Sequence, residues 1–217
     1  AGGLGTRLGN LTKAKPKPLM SINETTFLEK LILNNAKYNV EKIYILCGYK
    51  GHLIKEKYHK KFINGVPIEC LIEKKKLGTG GALSQLKKKI KKNFFLINGD
   101  TYVDINLNKY SKLNLKNKIG YIFLTKKNDN KNQLLGLDKK KNIVQNNKSN
   151  LISTGFYYLN KKILRNIKYK ESSLEKEILP YFFEKKKIKG IIYNKYFRDI
   201  GTPVDLKKFK EDFKKKL

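Results

Sequence analysis

A glycine-rich segment near the start of the sequence has the residue types of an anion-binding loop. It reads Gly2-Gly3-Leu4-Gly5-Thr6-Arg7-Leu8. A Walker loop would need Gly-Lys-Ser/Thr, and the dinucleotide fingerprint would need glycine in place of Leu8, so neither pattern fits. Backbone N–H groups between small residues can approach phosphate oxygens, and the Arg7 guanidinium can bind two oxygens at once. The loop residues predicted to contact a phosphate are Gly2, Gly3, Gly5 and Thr6.

A lysine held between two prolines follows this loop, in the segment Pro16-Lys17-Pro18-Leu19. Proline fixes φ on either side of Lys17, so the ammonium can be aimed at an anion with little loss of conformational entropy. We therefore predict that Lys17 joins Arg7 as a phosphate-binding cation.

Two aspartates follow apolar, strand-like segments. Asp100 comes shortly after Phe94 to Ile97, and Asp199 follows an aromatic pair. Open α/β sheets bind ligands at the carboxyl ends of their strands, and Mg²⁺ typically takes one or two protein carboxylates together with phosphate oxygens and water. Asp100 and Asp199 are therefore the predicted Mg²⁺ ligands, whereas Asp104 and Asp205 are interpreted as turn or helix-capping residues.

Apolar strands alternate with amphipathic helices along the rest of the chain, which is typical of an α/β fold. We expect a single domain over residues 1–217 with a Rossmann-like mixed sheet, mostly parallel and flanked by helices. The phosphate loop of such folds follows the first central strand, so the sequence is predicted to lack that strand before Ala1. The predicted helices include Phe27 to Ala36 with Thr25 or Thr26 as cap, His52 to Phe62, Thr79 to Ile90, Leu107 to Leu115, Glu171 to Phe183 and Val204 to Lys215.

The charge of the chain, +31 from 49 Lys and Arg against 18 Asp and Glu, would suit a nucleic-acid binder. However, only Arg7, Arg165 and Arg198 are arginine, whereas nucleic-acid surfaces normally use arginine together with exposed aromatic residues. The lysine runs are scattered between the predicted core elements. A nucleic-acid partner is therefore not favoured, and a basic nucleic-acid-associated protein is kept as the alternative from another functional class.

The longest apolar runs fall far short of the roughly 20 residues that a membrane span needs, and no signal-peptide pattern is present. We therefore expect a cytoplasmic protein without a membrane partner. Cys47 and Cys70 lie in apolar strand-like runs and are interpreted as free core thiols. The sequence leaves open whether the protein forms a homo-oligomer.

The pairing of GGLGTRL with KPKPL resembles the amino-terminal signature of the sugar-1-phosphate nucleotidylyltransferases. Later segments resemble motifs of the same family, in the same order, over Ala1 to about Leu206. They are the base-binding loop Leu77-Gly78-Thr79-Gly80-Gly81-Ala82, the metal aspartates Asp100 and Asp199, and the sugar-contacting turn Thr154-Gly155. The resemblance implies nucleotide contacts by Gly78 and Thr79, and sugar-phosphate contacts by Thr154 and Gly155.

Two further sugar-side residues follow from the resemblance. Gly136 is similar to the glycine that lets the sugar lie against the backbone, and Lys148 to the lysine that neutralises the sugar phosphate. The family usually has a glutamate before this lysine, and Asn147 stands there in this chain.

In the reaction that the resemblance implies, a sugar 1-phosphate oxygen attacks the α-phosphorus of a nucleoside triphosphate and pyrophosphate leaves. The attacking phosphate is already ionised at neutral pH, so Arg7, Lys17 and Asp100 act with Mg²⁺ by positioning and charge neutralisation. The finer motif detail is most similar to members that transfer GMP from GTP to heptose 1-phosphate, or to mannose 1-phosphate, for cell-surface glycans such as lipopolysaccharide or capsule. Thymidylyl, cytidylyl and uridylyl transfer to another sugar 1-phosphate stay open.

Glu73 stands close before the base-binding loop and is the predicted guanine-recognition residue. Guanine presents its N1–H and N2–H donors on one edge, and a carboxylate can accept both. Uracil and thymine offer one donor between carbonyls that would face the charge, although cytosine could still donate from N4. A solvent-facing Glu73 is the alternative.

Replacing Glu73 with Gln should therefore weaken GTP use. One hydrogen bond to guanine is lost, so kcat/KM for GTP should fall by a factor that corresponds to about 1.5–3 kcal/mol of transition-state stabilisation. The kcat/KM for UTP should rise relative to that for GTP. The measurement is the GTP:UTP ratio of kcat/KM in the wild type and in Glu73→Gln. An unchanged ratio would leave Glu73 as a solvated surface residue.

Overall fold

The computed structural model describes residues 1–3, 5–126, 134–145 and 149–214. Its helices are α1 (Leu11–Ala14), α2 (Phe27–Ala36), α3 (Gly51–Tyr58), α4 (Gly78–Gly81), α5 (Leu107–Tyr110), α6 (Leu179–Glu184) and α7 (Pro203–Lys214). Its strands are β1 (Ser21–Ile22), β2 (Thr25–Thr26), β3 (Ile43–Cys47), β4 (Phe62–Ile63), β5 (Val66–Ile72), β6 (Phe94–Ile97), β7 (Thr101–Val103), β8 (Gly120–Lys126), β9 (Leu135–Leu137), β10 (Ile143–Gln145), β11 (Leu151–Leu159), β12 (Ile188–Ile192) and β13 (Phe197–Asp199).

The chain forms two compact units. Unit 1 comprises Ala1–Lys76, Gly99–Asn108 and Arg198–Leu217, and unit 2 comprises Leu77–Asn98 and Lys109–Phe197. The predicted α/β class is confirmed, with helices and mixed sheets in the described chain. The single domain over residues 1–217 and the strand expected before Ala1 stay predictions.

The parallel strands β3 and β5 form the centre of unit 1, with Cys47 opposite Ile72 at the end of the ladder. Helix α2 begins where the sequence predicts, because the Thr26 hydroxyl accepts the N–H of Glu29 at 3.2 Å and so caps the first turn. One buried cluster joins α2, α3, β3 and β5, and it contains Leu19, Leu28, Ile32, Ile45, Cys47, Ile54, Tyr58, Ile68 and Cys70.

The two cysteines are both buried and free within this cluster, which confirms their interpretation as core thiols. A hydrogen bond with Cys70 and burial raise the pKa of the Cys47 thiol above its ordinary value. Cys47 is therefore held in its neutral form.

A second group of aromatic side chains in unit 1 ties α7 to β7 and to the start of α2. The Phe209 ring lies 4.9 Å from Phe27, 5.4 Å from Tyr102 and 4.5 Å from Phe213 between centroids. Since β7 directly follows Asp100 and α7 follows Asp199, this group fixes the elements that come after the two aspartates.

Unit 2 is built on a six-stranded sheet with the order β10-β9-β11-β8-β12, in which β6 also pairs with β11. Strand β11 pairs antiparallel with β8 and with β6, whereas β12 runs parallel to β8. The pairing of β11 with β8 is irregular between Ser153 and Tyr157. Gly155 lies inside this irregular stretch with φ +71°, a conformation that a glycine adopts without strain.

Two predicted helices are shorter than expected, each for a local reason. The helix predicted over His52 to Phe62 ends at Tyr58, because Asn64-Gly65, both with positive φ, turns Phe62 into the β4–β5 hairpin. The helix predicted over Glu171 to Phe183 is a π-turn at Leu174–Ile178 followed by α6, whose first turn contains Pro180. Proline has no N–H for an intrahelical bond, so it fits only at such a start.

The other shortened helices are the one predicted over Thr79 to Ile90, which is α4 followed by a 3₁₀ turn at Ala82–Leu86, and the one predicted over Leu107 to Leu115, which ends at Tyr110. No helix within the described ranges is long and apolar enough to cross a membrane.

Replacing Phe209 with Ala should destabilise the protein by about 3–5 kcal/mol, since it removes a fully buried ring from the aromatic group. Val204→Ala is the matched control, because Val204 lies on the same helix and is 60% exposed. Urea unfolding of both variants measures the difference. Equal midpoints for the two variants would show that the aromatic group does not stabilise α7.

Candidate functional site

The predicted phosphate loop folds as a tight turn in unit 1. Gly5 has φ +67° and precedes a 3₁₀ turn at Thr6–Leu8, and a Cβ at Gly5 would lie 2.8 Å from Cγ2 of Thr12. Only glycine fits this position. Leu8 is buried and anchors the turn, which leaves Thr6 and Arg7 exposed to solvent.

These residues line an open pocket of about 190 Å³, formed by Gly5, Thr6, Arg7, Lys17 and Gly201. A Cβ at Gly201 would lie 3.3 Å from Nη2 of Arg7. The structure thus brings the predicted glycine loop, both predicted cations and the segment after Asp199 to one place. The guanidinium and the ammonium make this pocket suited to a polyphosphate.

Lys17 forms the closest ion pair of this pocket, with its Nζ 2.7 Å from Oδ2 of Asp100. The Lys17 side chain is 10% exposed and that of Asp100 is 36% exposed. Burial by itself raises the pKa of Asp100, but the charge and hydrogen bond of Lys17 lower it below the usual value of an aspartate. Asp100 is therefore held ionised at neutral pH.

Asp199 lies at the end of β13, the strand that pairs with β7. Its Oδ1 accepts the N–H of Gly201 at 2.9 Å, and the N–H of Ile200 donates to the carbonyl oxygen of Asp100 at 2.9 Å. Burial raises the pKa of Asp199, as do the charges of Asp205 and Asp100, and the Gly201 N–H lowers it in part. The charge of Asp100 therefore reaches Asp199 and disfavours its ionised form.

The elements on either side of Asp199 are fixed by hydrogen bonds of polar side chains. Arg198 donates through Nε to Oδ2 of Asp212 at 3.1 Å, which ties β13 to α7. Asp205 and Thr202 cap α7 reciprocally, with Thr202 N–H donating to Oδ2 of Asp205 at 3.1 Å and Asp205 N–H donating to the Thr202 hydroxyl at 3.2 Å. The capping interpretation of Asp205 is confirmed.

The donor set suits Mg²⁺ better than a metal held by protein alone. Within the part of the chain that the structure describes, no group of three or more His, Cys, Asp or Glu side chains could enclose a metal ion. Two carboxylates beside a phosphate pocket are what Mg²⁺ commonly uses, because it keeps water and substrate phosphate in its shell.

Glu73 lies next to the phosphate loop in unit 1. A Cβ at Gly2 would lie 3.1 Å from Oε1 of Glu73, and the Glu73 N–H donates to the carbonyl of Cys47 at 2.9 Å. Gly2 also packs against Gly48, where a Cβ would lie 2.7 Å from the Gly2 Cα. Glu73 is half-buried rather than fully solvated.

The predicted base-binding loop of unit 2 owes its glycines to internal packing. Gly78 has φ +68°, and a Cβ there would lie 2.5 Å from the carbonyl oxygen of Ser172. A Cβ at Gly81 would lie 2.0 Å from the carbonyl oxygen of Lys170. The loop is thus seated on residues 170–174, and its nucleotide contacts by Gly78 and Thr79 stay predictions.

The predicted sugar turn is also part of unit 2. The Thr154 hydroxyl is buried and donates to the carbonyl of Phe123 at 3.0 Å, so it supports the sheet. A Cβ at Gly155 would lie 2.6 Å from Nδ2 of Asn98. Gly136 is buried in β9 opposite Val144. Lys148 lies outside the described residues, so these sugar-phosphate contacts stay predictions.

Glu175 lies in the π-turn at Leu174–Ile178, within the helix that the sequence predicts over Glu171 to Phe183. In the structure its carboxylate accepts hydrogen bonds from Thr79 at 2.9 Å and from Tyr157 at 3.2 Å. Nothing in the sequence signals this arrangement, because the three residues are distant along the chain.

Comparisons with known proteins agree with the geometry. A family model described as nucleotidyl transferase matches residues 1–216. A D-glycero-alpha-D-manno-heptose 1-phosphate guanylyltransferase from Campylobacter jejuni is 34% identical over 210 residues, covering 94% of this chain and 93% of that protein. The crystal structure of HddC from Yersinia pseudotuberculosis matches 98% of this chain and 96% of its own with a TM-score of 0.83 and 31% identity. The structure of the same protein complexed with GMP-PN also matches 98% of this chain and 96% of its own, at 31% identity, with a TM-score of 0.82.

Replacing Lys17 with Met should lower kcat/KM by about 10²–10³-fold, as removal of one charge-stabilising donor does. The acid limb of the pH profile should also move to higher pH, since Lys17 lowers the pKa of both Asp100 and Asp199 and this effect is lost with its charge. The measurement is kcat/KM against pH. Lys15→Met is the control, because Lys15 is exposed in the same segment. An acid limb at the wild-type pH would contradict the role of the ion pair.

Proposed function

The chain belongs to the nucleotidyl transferase family, and from this membership we propose that it transfers GMP from GTP to a heptose 1-phosphate or a mannose 1-phosphate. The observation that carries the proposal is the convergence of Arg7, Lys17, Asp100 and Asp199 around the Gly5 turn. The 34% identity to a heptose 1-phosphate guanylyltransferase over 94% of this chain supports GTP as the nucleotide and heptose 1-phosphate as the acceptor.

The chemistry requires positioning rather than a protein nucleophile. An oxygen of the sugar 1-phosphate attacks the α-phosphorus of the triphosphate, the new P–O bond forms, and the bond to the β-phosphate breaks with release of pyrophosphate. The attacking oxygen is already ionised at neutral pH, so no general base is needed. Arg7 and Lys17 bind triphosphate oxygens and neutralise the charge that develops in the transition state.

Asp100 and Asp199 would hold Mg²⁺ in this pocket. When bound, a divalent cation neutralises phosphate charge and orients the leaving pyrophosphate. Lys17 keeps Asp100 in the ionised form that metal binding requires. The Gly201 N–H holds the Asp199 carboxylate in place through Oδ1.

Glu73 supports guanine as the base. Its carboxylate lies beside the Gly2 backbone of the phosphate loop, where it can accept the paired N1–H and N2–H donors of guanine. Thymidylyl, cytidylyl and uridylyl transfer are the alternatives within the same chemistry. Gly136, Gly155 and Lys148 are proposed to contact the sugar phosphate.

The product would be a nucleotide-activated sugar for cell-surface glycan synthesis, made in the cytoplasm. A nucleic-acid-associated role is the alternative from another class, and it predicts a different response to salt. Binding to a phosphate backbone weakens steeply with ionic strength through counterion release, whereas selection of a base by hydrogen bonds to the nucleotide persists.

The test is pyrophosphate release with each of four nucleoside triphosphates, with heptose 1-phosphate, mannose 1-phosphate and glucose 1-phosphate, at low and high salt. GTP should exceed UTP and dTTP by about 10²-fold or more in kcat/KM, because two guanine hydrogen bonds are at stake. The Asp199→Asn variant, which should lose most of this turnover, controls for a contaminating enzyme. Equal turnover of all four nucleotides would reject guanine selection, and tight salt-sensitive RNA binding without turnover would favour the alternative class.

A further inference from the structure

Two chains of hydrogen bonds in unit 2 end on the same carboxylate. Each oxygen of Glu175 accepts a side-chain hydroxyl, Oε2 that of Thr79 and Oε1 that of Tyr157. One chain begins at the loop predicted to bind the base, and the other begins at the turn predicted to bind the sugar phosphate. Neither chain is used by the chemistry proposed above.

The first chain fixes the loop of Gly78–Gly81. Thr79 donates to Glu175 at 2.9 Å, and the same Thr79 oxygen accepts the N–H of Leu174 at 2.9 Å. The neighbouring Gly80 N–H donates to the carbonyl of Ser172 at 2.9 Å. Thr79 is therefore held on both sides by the segment that carries Glu175.

The second chain reaches the irregular part of β11. Tyr157 donates to Glu175 at 3.2 Å and accepts from the Ser153 hydroxyl at 3.3 Å. The Ser153 oxygen in turn accepts the N–H of Gly155 at 3.1 Å. Tyr157 is fully buried, so its hydroxyl needs partners within the protein, and Glu175 and Ser153 are two of them.

The direction of each bond in this relay is fixed by its ends. A backbone N–H can only donate and an ionised carboxylate can only accept, so each hydroxyl between them has one orientation that satisfies both neighbours. Hydrogen bonds aligned in this way strengthen one another, most of all at the buried Tyr157. These hydrogen bonds therefore form one continuous network, in which each bond depends on its neighbours. This relay runs from Gly155 through Ser153, Tyr157 and Glu175 to Thr79.

We propose that Glu175 is a positioning residue that couples the binding of the two substrates, an inference that rests on the proposed function. A nucleotide that contacts Thr79 further stabilises the arrangement of Glu175 and Tyr157 that the structure shows, so the turn at Gly155 is held more firmly when the sugar phosphate arrives. The second substrate then loses less conformational entropy on binding, and by linkage each substrate tightens the other by the same factor.

The test is the affinity of mannose 1-phosphate or heptose 1-phosphate, measured by calorimetry in the presence of Mg²⁺, with and without a non-hydrolysable GTP analogue. The wild type should bind the sugar phosphate about 5-fold more tightly, or better, when the analogue is present. Tyr157→Phe and Glu175→Gln should reduce this coupling factor to nearly 1. Each variant should bind the analogue alone with close to wild-type affinity.

The controls are Tyr181→Phe and Glu177→Gln, which make the same chemical changes in the same segment outside the relay. The Tyr181 hydroxyl contacts Lys185 at 2.6 Å, and Glu177 accepts the Ser173 N–H at 2.7 Å. Both should keep the wild-type coupling factor. A melting temperature for every variant separates lost coupling from lost stability, because a purely structural role would lower the melting temperature and leave coupling intact.

A wild type that forms the nucleotide sugar but binds its substrates independently would overturn the inference while leaving the proposed function standing. So would wild-type coupling in both Tyr157→Phe and Glu175→Gln. If the turnover assay identifies another nucleotide, its analogue replaces that of GTP, so a wrong base assignment does not affect the outcome. A wild type without turnover on any substrate pair would instead reject the proposed function, and absence of sugar-phosphate binding as well would overturn the coupling.

Discussion

The ion pair between Lys17 and Asp100 is the interaction on which the phosphate pocket of unit 1 depends. An ammonium with 10% of its side chain exposed is costly unless a charge compensates it, and Oδ2 of Asp100 does so at 2.7 Å. The same contact lowers the pKa of Asp100 against the effect of burial. One short contact therefore makes a buried cation tolerable and keeps a metal ligand ionised before any substrate arrives.

Close backbone packing is the second constraint, and it changes the meaning of the glycine motifs. Gly5 is required by its positive φ and by Thr12, Gly78 by the carbonyl of Ser172, and Gly155 by Asn98. These contacts are all internal to the protein. The glycines of a ligand-binding motif are thus needed first for the loop to fold. The ligand then binds the backbone N–H groups that the folded loop presents.

The sequence predicts the α/β class, a cap at Thr25 or Thr26, and the joining of Arg7, Lys17, Asp100 and the segment after Asp199, because these depend on local patterns and on motif order. It does not predict the early end of α3 or the π-turn before α6. The hairpin at Asn64-Gly65 ends α3 early and Pro180 restricts where α6 can begin, but neither changes the helical spacing of the apolar residues. It also misses the relay through Glu175. Thr79, Tyr157 and Glu175 meet only because the sheet of unit 2 brings distant segments together, and a sequence shows none of the distances.

The two predicted metal ligands are not equivalent, and their difference follows from what surrounds each one. Asp100 has a permanent cation beside it, so its pKa is lowered despite burial. Asp199 has burial and two neighbouring carboxylates, so its pKa is raised. As pH falls, Asp199 therefore takes up a proton before Asp100 does. A bound divalent cation would favour the ionised form of Asp199, so metal binding and the loss of its proton are linked. The protein itself keeps Asp100 ionised, whereas the ionisation of Asp199 depends on the metal. The acid sensitivity of the pocket is consequently set at Asp199.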